Sequence, residues 1–192
     1  MTVDNRRIGI FAGTFDPIHD GHIDIARSAV EHLELEELLI LVEESPWGDK
    51  SPIDIAHRKE MVELSISSEG KINQLVMDQK RFNIDETLPD LETRFAGCEL
   101  YFIFGGDIFM HMNEDSWSGL EGLLRHYIVV FERGNVNERD ISEHAKSLGI
   151  VAAILPNEKL DHSSTDVRLK PHNKAIWIPK SVAGYIDQNS LY

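Results

Sequence analysis

Apolar residues in this chain form short unbroken runs, separated by stretches in which they recur every three or four positions. The runs at 7–13 (RIGIFAG), 38–42 (LLILV), 100–104 (LYFIF) and 127–131 (YIVVF) have strand length and almost no polar interruption. Such runs read as strands buried on both faces. Further strand candidates lie at 73–77 and 150–155. The intervening stretches carry helical spacing. Ile23, Ala26, Val30 and Leu33 predict a helix over 21–33, and Met61, Leu64 and Ile66 one over 57–67. Leu88, Leu91 and Phe95 predict a helix over 85–95, with Pro89 in its first turn. Shorter helices are expected over 120–126, 138–148, 165–169 and 180–188. Strand and helix alternate throughout, which predicts an α/β protein with a doubly wound parallel sheet. A length of 192 residues suits one domain spanning 1–192.

In open sheets of this kind ligands lie beyond the carboxyl ends of the strands. The segments to search are therefore 13–22, 45–50, 80–84, 105–117, 132–134 and 161–168. In the first, Gly13 ends a strand and permits a tight turn. Pro17 stiffens the loop. His19 and His22 stand three apart across the start of the next helix, so both can face its N-terminus. That terminus offers unpaired N–H groups and a partial positive charge, to which two imidazoles add donors. The result is an anion site built without lysine or arginine. The bland alternative is a strand-to-helix turn with incidental histidines. In the last segment, Ser163, Ser164 and Thr165 open a short helix, and Arg168 shares a face with Ser164. The pair Ser163 and Asp166 fits a capping box. A cap leaves Ser164, Thr165 and Arg168 unexplained, and these suit a polyphosphate.

Composition narrows the classes. Hydrophobic residues make up 42% and charged residues 27%, as in a globular protein. No apolar run is long enough to span a membrane, and the first residues lack the pattern of a signal peptide, so a cytoplasmic protein with no membrane partner is expected. The single cysteine, Cys98, excludes an internal disulfide and a thiolate metal cage. A net charge of −14 argues against nucleic acid as a partner. It also means that a phosphate ligand must be met by local groups.

The string from Gly13 to His22 (GTFDPIHDGH) resembles the signature of the HxGH nucleotidyltransferases, and within them the chain is most similar to the nicotinate-nucleotide adenylyltransferase family. The likeness recurs at Phe104-Gly105-Gly106-Asp107, at Trp117 with Leu123-Leu124, at Ser163 to Arg168, and in the ending Ile178 to Ile186, which carries packing. The resemblance implies a Rossmann-like nucleotidyltransferase fold. It implies transfer of AMP from ATP to nicotinate mononucleotide, giving deamido-NAD and pyrophosphate with Mg²⁺ on the ATP and no metal cage of protein side chains. It also implies oligomers for many members, on which the sequence itself is silent. Carried over, His19, His22 and Arg168 are the catalytic candidates. Gly13, Thr14, Phe15, Gly21, Gly105, Asp107, Ser163, Ser164 and Thr165 are candidates for ATP. Asp107 would accept from the ribose, or else cap a helix. Lys50, Asn83 and Trp117 are candidates for the acceptor, Trp117 by stacking on its ring.

The departures cluster on the acceptor side. A hydroxyl-bearing pair of the family is here Asn83 and Ile84, the family's Arg-Pro-Gly is Glu132-Arg133-Gly134, its Pro-Pro-His-Lys loop is 45–50 (SPWGDK), and 106–117 is longer. His162 replaces an isoleucine. Asn83 suits a carboxamide as well as a carboxylate. Nicotinamide mononucleotide, another phosphate ester such as phosphopantetheine, and a non-catalytic nucleotide-binding module therefore stand as alternatives.

Overall fold

The structure, a computed structural model, describes residues 6–45, 51–133, 135–155, 163–169 and 177–192. Along the chain run β1 (Arg7–Gly13), α1 (Asp20–His32), β2 (Glu37–Val42), α2 (Ile55–Ile66), β3 (Ile72–Leu75), α3 (Thr87–Arg94) and β4 (Glu99–Gly105). There follow α4 (Gly106–Phe109), α5 (Leu120–Leu123), β5 (Tyr127–Phe131), α6 (Glu138–Ser147), β6 (Ala153–Leu155), α7 (Ser164–Leu169) and α8 (Lys180–Gln188). The strands form one sheet of six in the order β3-β2-β1-β4-β5-β6, every pair parallel. This is the expected doubly wound Rossmann-like sheet, its strand order reversing between β1 and β4.

Alternation along each strand divides the core into two. Phe11, Leu38, Ile40, Val42, Tyr101, Ile103, Val129 and Phe131 face one side, where α1, α2, α7 and α8 supply Ile23, Ala26, Met61, Val62, Val167, Val182 and Ile186. Ile8, Ile10, Leu39, Leu41, Phe102, Phe104, Ile128 and Val130 face the other, against Leu88, Leu91, Phe109, Leu123 and Ile141. Strands with both faces covered must be apolar at every position, which is why they read as unbroken runs.

Three expectations differ in detail. The strand expected over 150–155 is confined to Ala153–Leu155, because Ile150 closes the end of α6 by donating its N–H to Ala145 at 3.0 Å, and Val151 is fully in solvent. The helix expected over 120–126 is the single turn Leu120–Leu123. The turn α4 breaks the stretch after β4 and was not expected.

Candidate active site

α1 follows β1 onto one face of the sheet, and α4 follows β4 onto the other. The chain thus leaves two adjacent strands in opposite directions, and the segments 13–22 and 105–107 flank one crevice. Most of the chemistry found in the sequence converges there.

His19 is the N-cap of α1, and His22 lies in the helix's first turn. Both are buried, and their rings stack with centroids 3.7 Å apart at 29°. The His19 backbone N–H donates to His22 Nδ1 at 3.3 Å. A neutral imidazole that accepts at Nδ1 carries its proton on Nε2, so this bond selects the tautomer and leaves a donor at the far side of the ring. Phe15 packs edge-on against the His22 ring, 5.0 Å between centroids and 76° between planes. Its backbone is left-handed, φ +48°, which bulky residues seldom adopt. Gly13 makes room for it: a β-carbon there would lie 3.0 Å from Phe15 Cζ. Gly21 is buried within the first turn of α1. The two imidazoles therefore sit at the positive end of a helix, held by packing on two sides.

The second cluster docks directly on this loop. Ser164 Oγ donates to the carbonyl of Pro17 at 3.0 Å. Arg168 Nη1 donates to the carbonyl of Asp16 and lies 3.6 Å from its Oδ2, while Nη2 donates to Thr165 Oγ1 at 3.1 Å. Ser163 is occupied as the capping box requires: its N–H donates to Asp166 Oδ2 at 2.9 Å and its Oγ accepts from the Asp166 N–H at 3.3 Å. Ser163 thus organises the turn, while Ser164 and Arg168 carry α7 to the loop after β1.

The structure adds a residue that the sequence reading missed. Arg58 of α2 is 1% exposed, the largest fully buried side chain among the described residues. Its Nε donates to the carbonyl of Ile53 at 2.9 Å, Nη1 to those of Thr14 at 2.8 Å and Glu43 at 2.7 Å, and Nη2 to that of Glu44 at 3.3 Å. One guanidinium therefore ties the segment after β1 to the segment after β2 and to the start of α2. Burial lowers its pKa from the usual value, against the raising effect of Asp16 nearby. It stays charged near neutrality, a fixed cation beneath the loop. Its position was legible in principle: Arg58 stands in helical register with Met61, Val62 and Ile66, the buried stripe of α2.

On the opposite flank, Gly105 is the N-cap of α4, so Asp107 is not the cap that its alternative reading allowed. Asp107 Oδ1 accepts from the Ile108 N–H at 3.0 Å, and Oδ2 lies 3.6 Å from Arg133 Nε. A β-carbon on Gly105 would come within 2.5 Å of Asp107 Oδ1 and 3.2 Å of Arg133 Cδ. Further out, Trp117 meets Phe104 edge-on at 6.0 Å, and Phe82 lies against the same Phe104 at 6.4 Å. Gly119, with φ +72°, lets the chain pass close to Ile84, whose Cγ2 would lie 3.1 Å from an added β-carbon. Asn83 turns toward α3: its Oδ1 accepts from the Glu86 N–H at 2.7 Å and its Nδ2 donates to Glu86 Oε2 at 3.3 Å. Lys50, with the rest of 46–50, Gly134 and His162, lies outside the described residues. Among the described residues no group of three or more His, Cys, Asp or Glu is gathered as a metal site, and no helix is long and apolar enough to cross a membrane.

The model of the cytidylyltransferase-like family matches residues 10–170, which include both clusters and all six strands but for the start of β1. The chain belongs to that family of nucleotidyltransferases. Among named relatives, a Clostridium botulinum protein called "Probable nicotinate-nucleotide adenylyltransferase" is 32% identical, the match covering 97% of this chain and 98% of that one. A Clostridium perfringens protein of the same name is 33% identical with the same coverage. Nucleotidyltransferase folds of this kind have been solved with ligands. The Plasmodium falciparum nicotinic acid mononucleotide adenylyltransferase complexed with NaAD superposes with a TM-score of 0.81 at 20% identity, over 98% of each chain. The same enzyme complexed with APC gives 0.78 at 18% identity, again over 98% of each. At those identities the two structures speak for the fold, which is that of the whole described chain.

Proposed function

We propose that this nucleotidyltransferase moves AMP from ATP to nicotinate mononucleotide, releasing pyrophosphate and forming deamido-NAD. The names of the relatives support the substrate pair. The observation in the structure that carries the reading is the docking of Ser164 and Arg168 on Pro17 and Asp16, which joins two anion-binding clusters into one that can hold a triphosphate along its length.

In this reading an oxygen of the acceptor's phosphate attacks the α-phosphorus of ATP in line. The new P–O bond forms as the bond to the bridging oxygen of pyrophosphate breaks, and pyrophosphate leaves with that electron pair. The attacking phosphate is already ionised near neutral pH, so no general base is needed. Catalysis is then positioning and charge stabilisation. His22, with its Nε2 proton set by the His19 amide, donates to the α-phosphate, where charge grows in the transition state. His19 contributes at the same helix end. Gly13, Phe15 and Gly21 shape the loop that holds both rings. Arg168 and Thr165 receive the departing pyrophosphate, with Ser164 securing α7 beneath them. Asp107, in the crevice, accepts from the ATP ribose. Trp117 presents its ring to the acceptor base beside Phe82 and Phe104, and Asn83 reaches the acceptor only by exchanging Glu86 for it.

Adenylyl transfer from ATP ordinarily takes a divalent cation, here Mg²⁺ carried by the nucleotide. The groups gathered at the crevice are imidazoles, hydroxyls, guanidiniums and two carboxylates, of which Asp16 is engaged by Arg168 and by the Ile53 N–H at 3.4 Å and Asp107 by Arg133 at 3.6 Å. That set suits phosphate oxygens and not a hard cation, so no side chain is assigned to the metal.

The test is product analysis. Protein, ATP, Mg²⁺ and nicotinate mononucleotide should yield deamido-NAD and pyrophosphate in equal amounts. Binding of ATP with no turnover on any mononucleotide would make the chain a binding module instead.

A further inference from the structure

Beyond α8 the chain turns sharply back toward the crevice. Asn189 caps the helix, Ser190 takes the left-handed conformation with φ +52°, and Leu191 donates its N–H to the carbonyl of Ile186 at 3.0 Å. Ser190 donates to the carbonyl of Asp187 at 3.4 Å. This pair of bonds is a Schellman closure, made here without the usual glycine. Leu191 packs on the core formed with α1, α2 and α8, as the apolar residue after such a closure commonly does. The next residue, Tyr192, is thereby delivered to the phosphate loop, where its hydroxyl donates to Asp16 Oδ1.

Asp16 is 7% exposed and sits where the loop after β1 meets α7, the start of α2 and the end of the chain. Its Oδ1 takes the Tyr192 hydroxyl and the Ile53 N–H, its Oδ2 lies by Arg168, and its own carbonyl takes the Arg168 guanidinium. A carboxylate on a single Cβ–Cγ bond can rotate. With Oδ1 held, Oδ2 lies 3.6 Å from Nη1, and Nη2 stays with Thr165. Without that restraint the carboxylate can turn and take Arg168 through both oxygens, a stronger pairing that would draw the guanidinium off a phosphate. Burial and the neighbouring Asp16 push the Tyr192 phenol above its ordinary range, so the hydroxyl remains a donor.

We infer that Tyr192 is a positioning residue for phosphate binding: through the Asp16 carboxylate it holds Arg168 in the orientation that receives the β- and γ-phosphates of ATP. This rests on the assignment of Arg168 to the pyrophosphate end. Arg168 would hold those phosphates in the ground state and meet the charge that grows on the leaving pyrophosphate, so its misplacement should raise KM for ATP and lower kcat as well.

The experiment is a double-mutant cycle on KM for ATP in pyrophosphate-release assays. Tyr192→Phe, which keeps the ring and its packing, should raise KM about five- to tenfold and lower kcat by a smaller factor. In the Arg168→Ala background the same change should add nothing; Arg168→Lys replaces it if the alanine variant does not fold. An unaltered KM in Tyr192→Phe, or the same multiplicative loss in both backgrounds, would overturn the inference and leave Arg168 in its assigned place. An unaltered KM in Arg168→Ala would overturn the assignment itself, and the inference with it.

Discussion

Arg58 offers the sharpest stability prediction. Its guanidinium makes four bonds to backbone carbonyls, at 2.9, 2.8, 2.7 and 3.3 Å, belonging to the segments after β1 and β2 and the start of α2. Arg58→Met keeps most of the apolar stem and removes all five N–H donors. The four carbonyls are then left partly buried beside an apolar group. A hydrogen bond to a charged group contributes about 1.5–3 kcal/mol, but the donors share one side chain and some carbonyls will find water, so the bonds do not add in full. We expect a loss of about 4 kcal/mol for Arg58→Met, near the range for breaking a buried charged network. Arg58→Lys keeps the charge but presents it at one point, which cannot span Ile53, Thr14 and Glu44 together, and should cost about 2–3 kcal/mol. Equilibrium unfolding in urea measures both. In a chain of this size the methionine variant should melt about 8–16 °C lower. A loss below about 1 kcal/mol for Arg58→Met would refute the claim that this guanidinium holds the loops together.

The remaining predictions concern the crevice and its alkaline limit. His22→Ala should lower kcat by about 10²–10³ while ATP binding by calorimetry changes far less; equal losses in both would remove the transition-state role. Gly105→Ala must displace Asp107, whose Oδ1 would lie 2.5 Å from the new carbon, so KM for ATP should rise several-fold with the melting temperature little changed; an unchanged KM would separate Asp107 from the ribose. Tyr101 is buried, its hydroxyl donating to Glu99, and these effects push its phenol up to about 12. The ordinary phenol lies at about 10, so the unfolded chain ionises first. The stability this group contributes is present below about pH 10 and lost as pH rises toward about 12. Tyr101→Phe should therefore show a shallower alkaline decline in urea titrations than the parent protein, and parallel declines would contradict the assignment.

How much of this was legible beforehand depended on whether local pattern or distant contact decided the outcome. The runs at Arg7–Gly13 and Tyr127–Phe131 are strands over the residues expected, because burial on both faces leaves no other composition. The turn over Leu120–Leu123 stops early, since Gly119 precedes it and Gly122 lies within it, in a segment too short to propagate a helix before the chain enters β5. The convergence of residues 13–22 with 163–168 was expected from chemistry, yet its physical links, Ser164 to Pro17 and Arg168 to Asp16, join residues 147 and 152 positions apart and leave no local trace. Arg58 was hidden because arginine ordinarily marks the wet face of a helix. Tyr192 was hidden because the ending reads as packing, which Val182, Ile186 and Leu191 bear out, while Ser190 supplies the turn without the glycine that would have advertised it.

One acceptor panel reads both the reaction and its acceptor. The direct measurement is kcat/KM for pyrophosphate release from Mg²⁺ and ATP with nicotinate mononucleotide, nicotinamide mononucleotide and phosphopantetheine in turn. Nicotinate mononucleotide should turn over, favoured over each of the others by about tenfold or more. Preference for either alternative, or no pyrophosphate above background with any of the three, would contradict the proposed function.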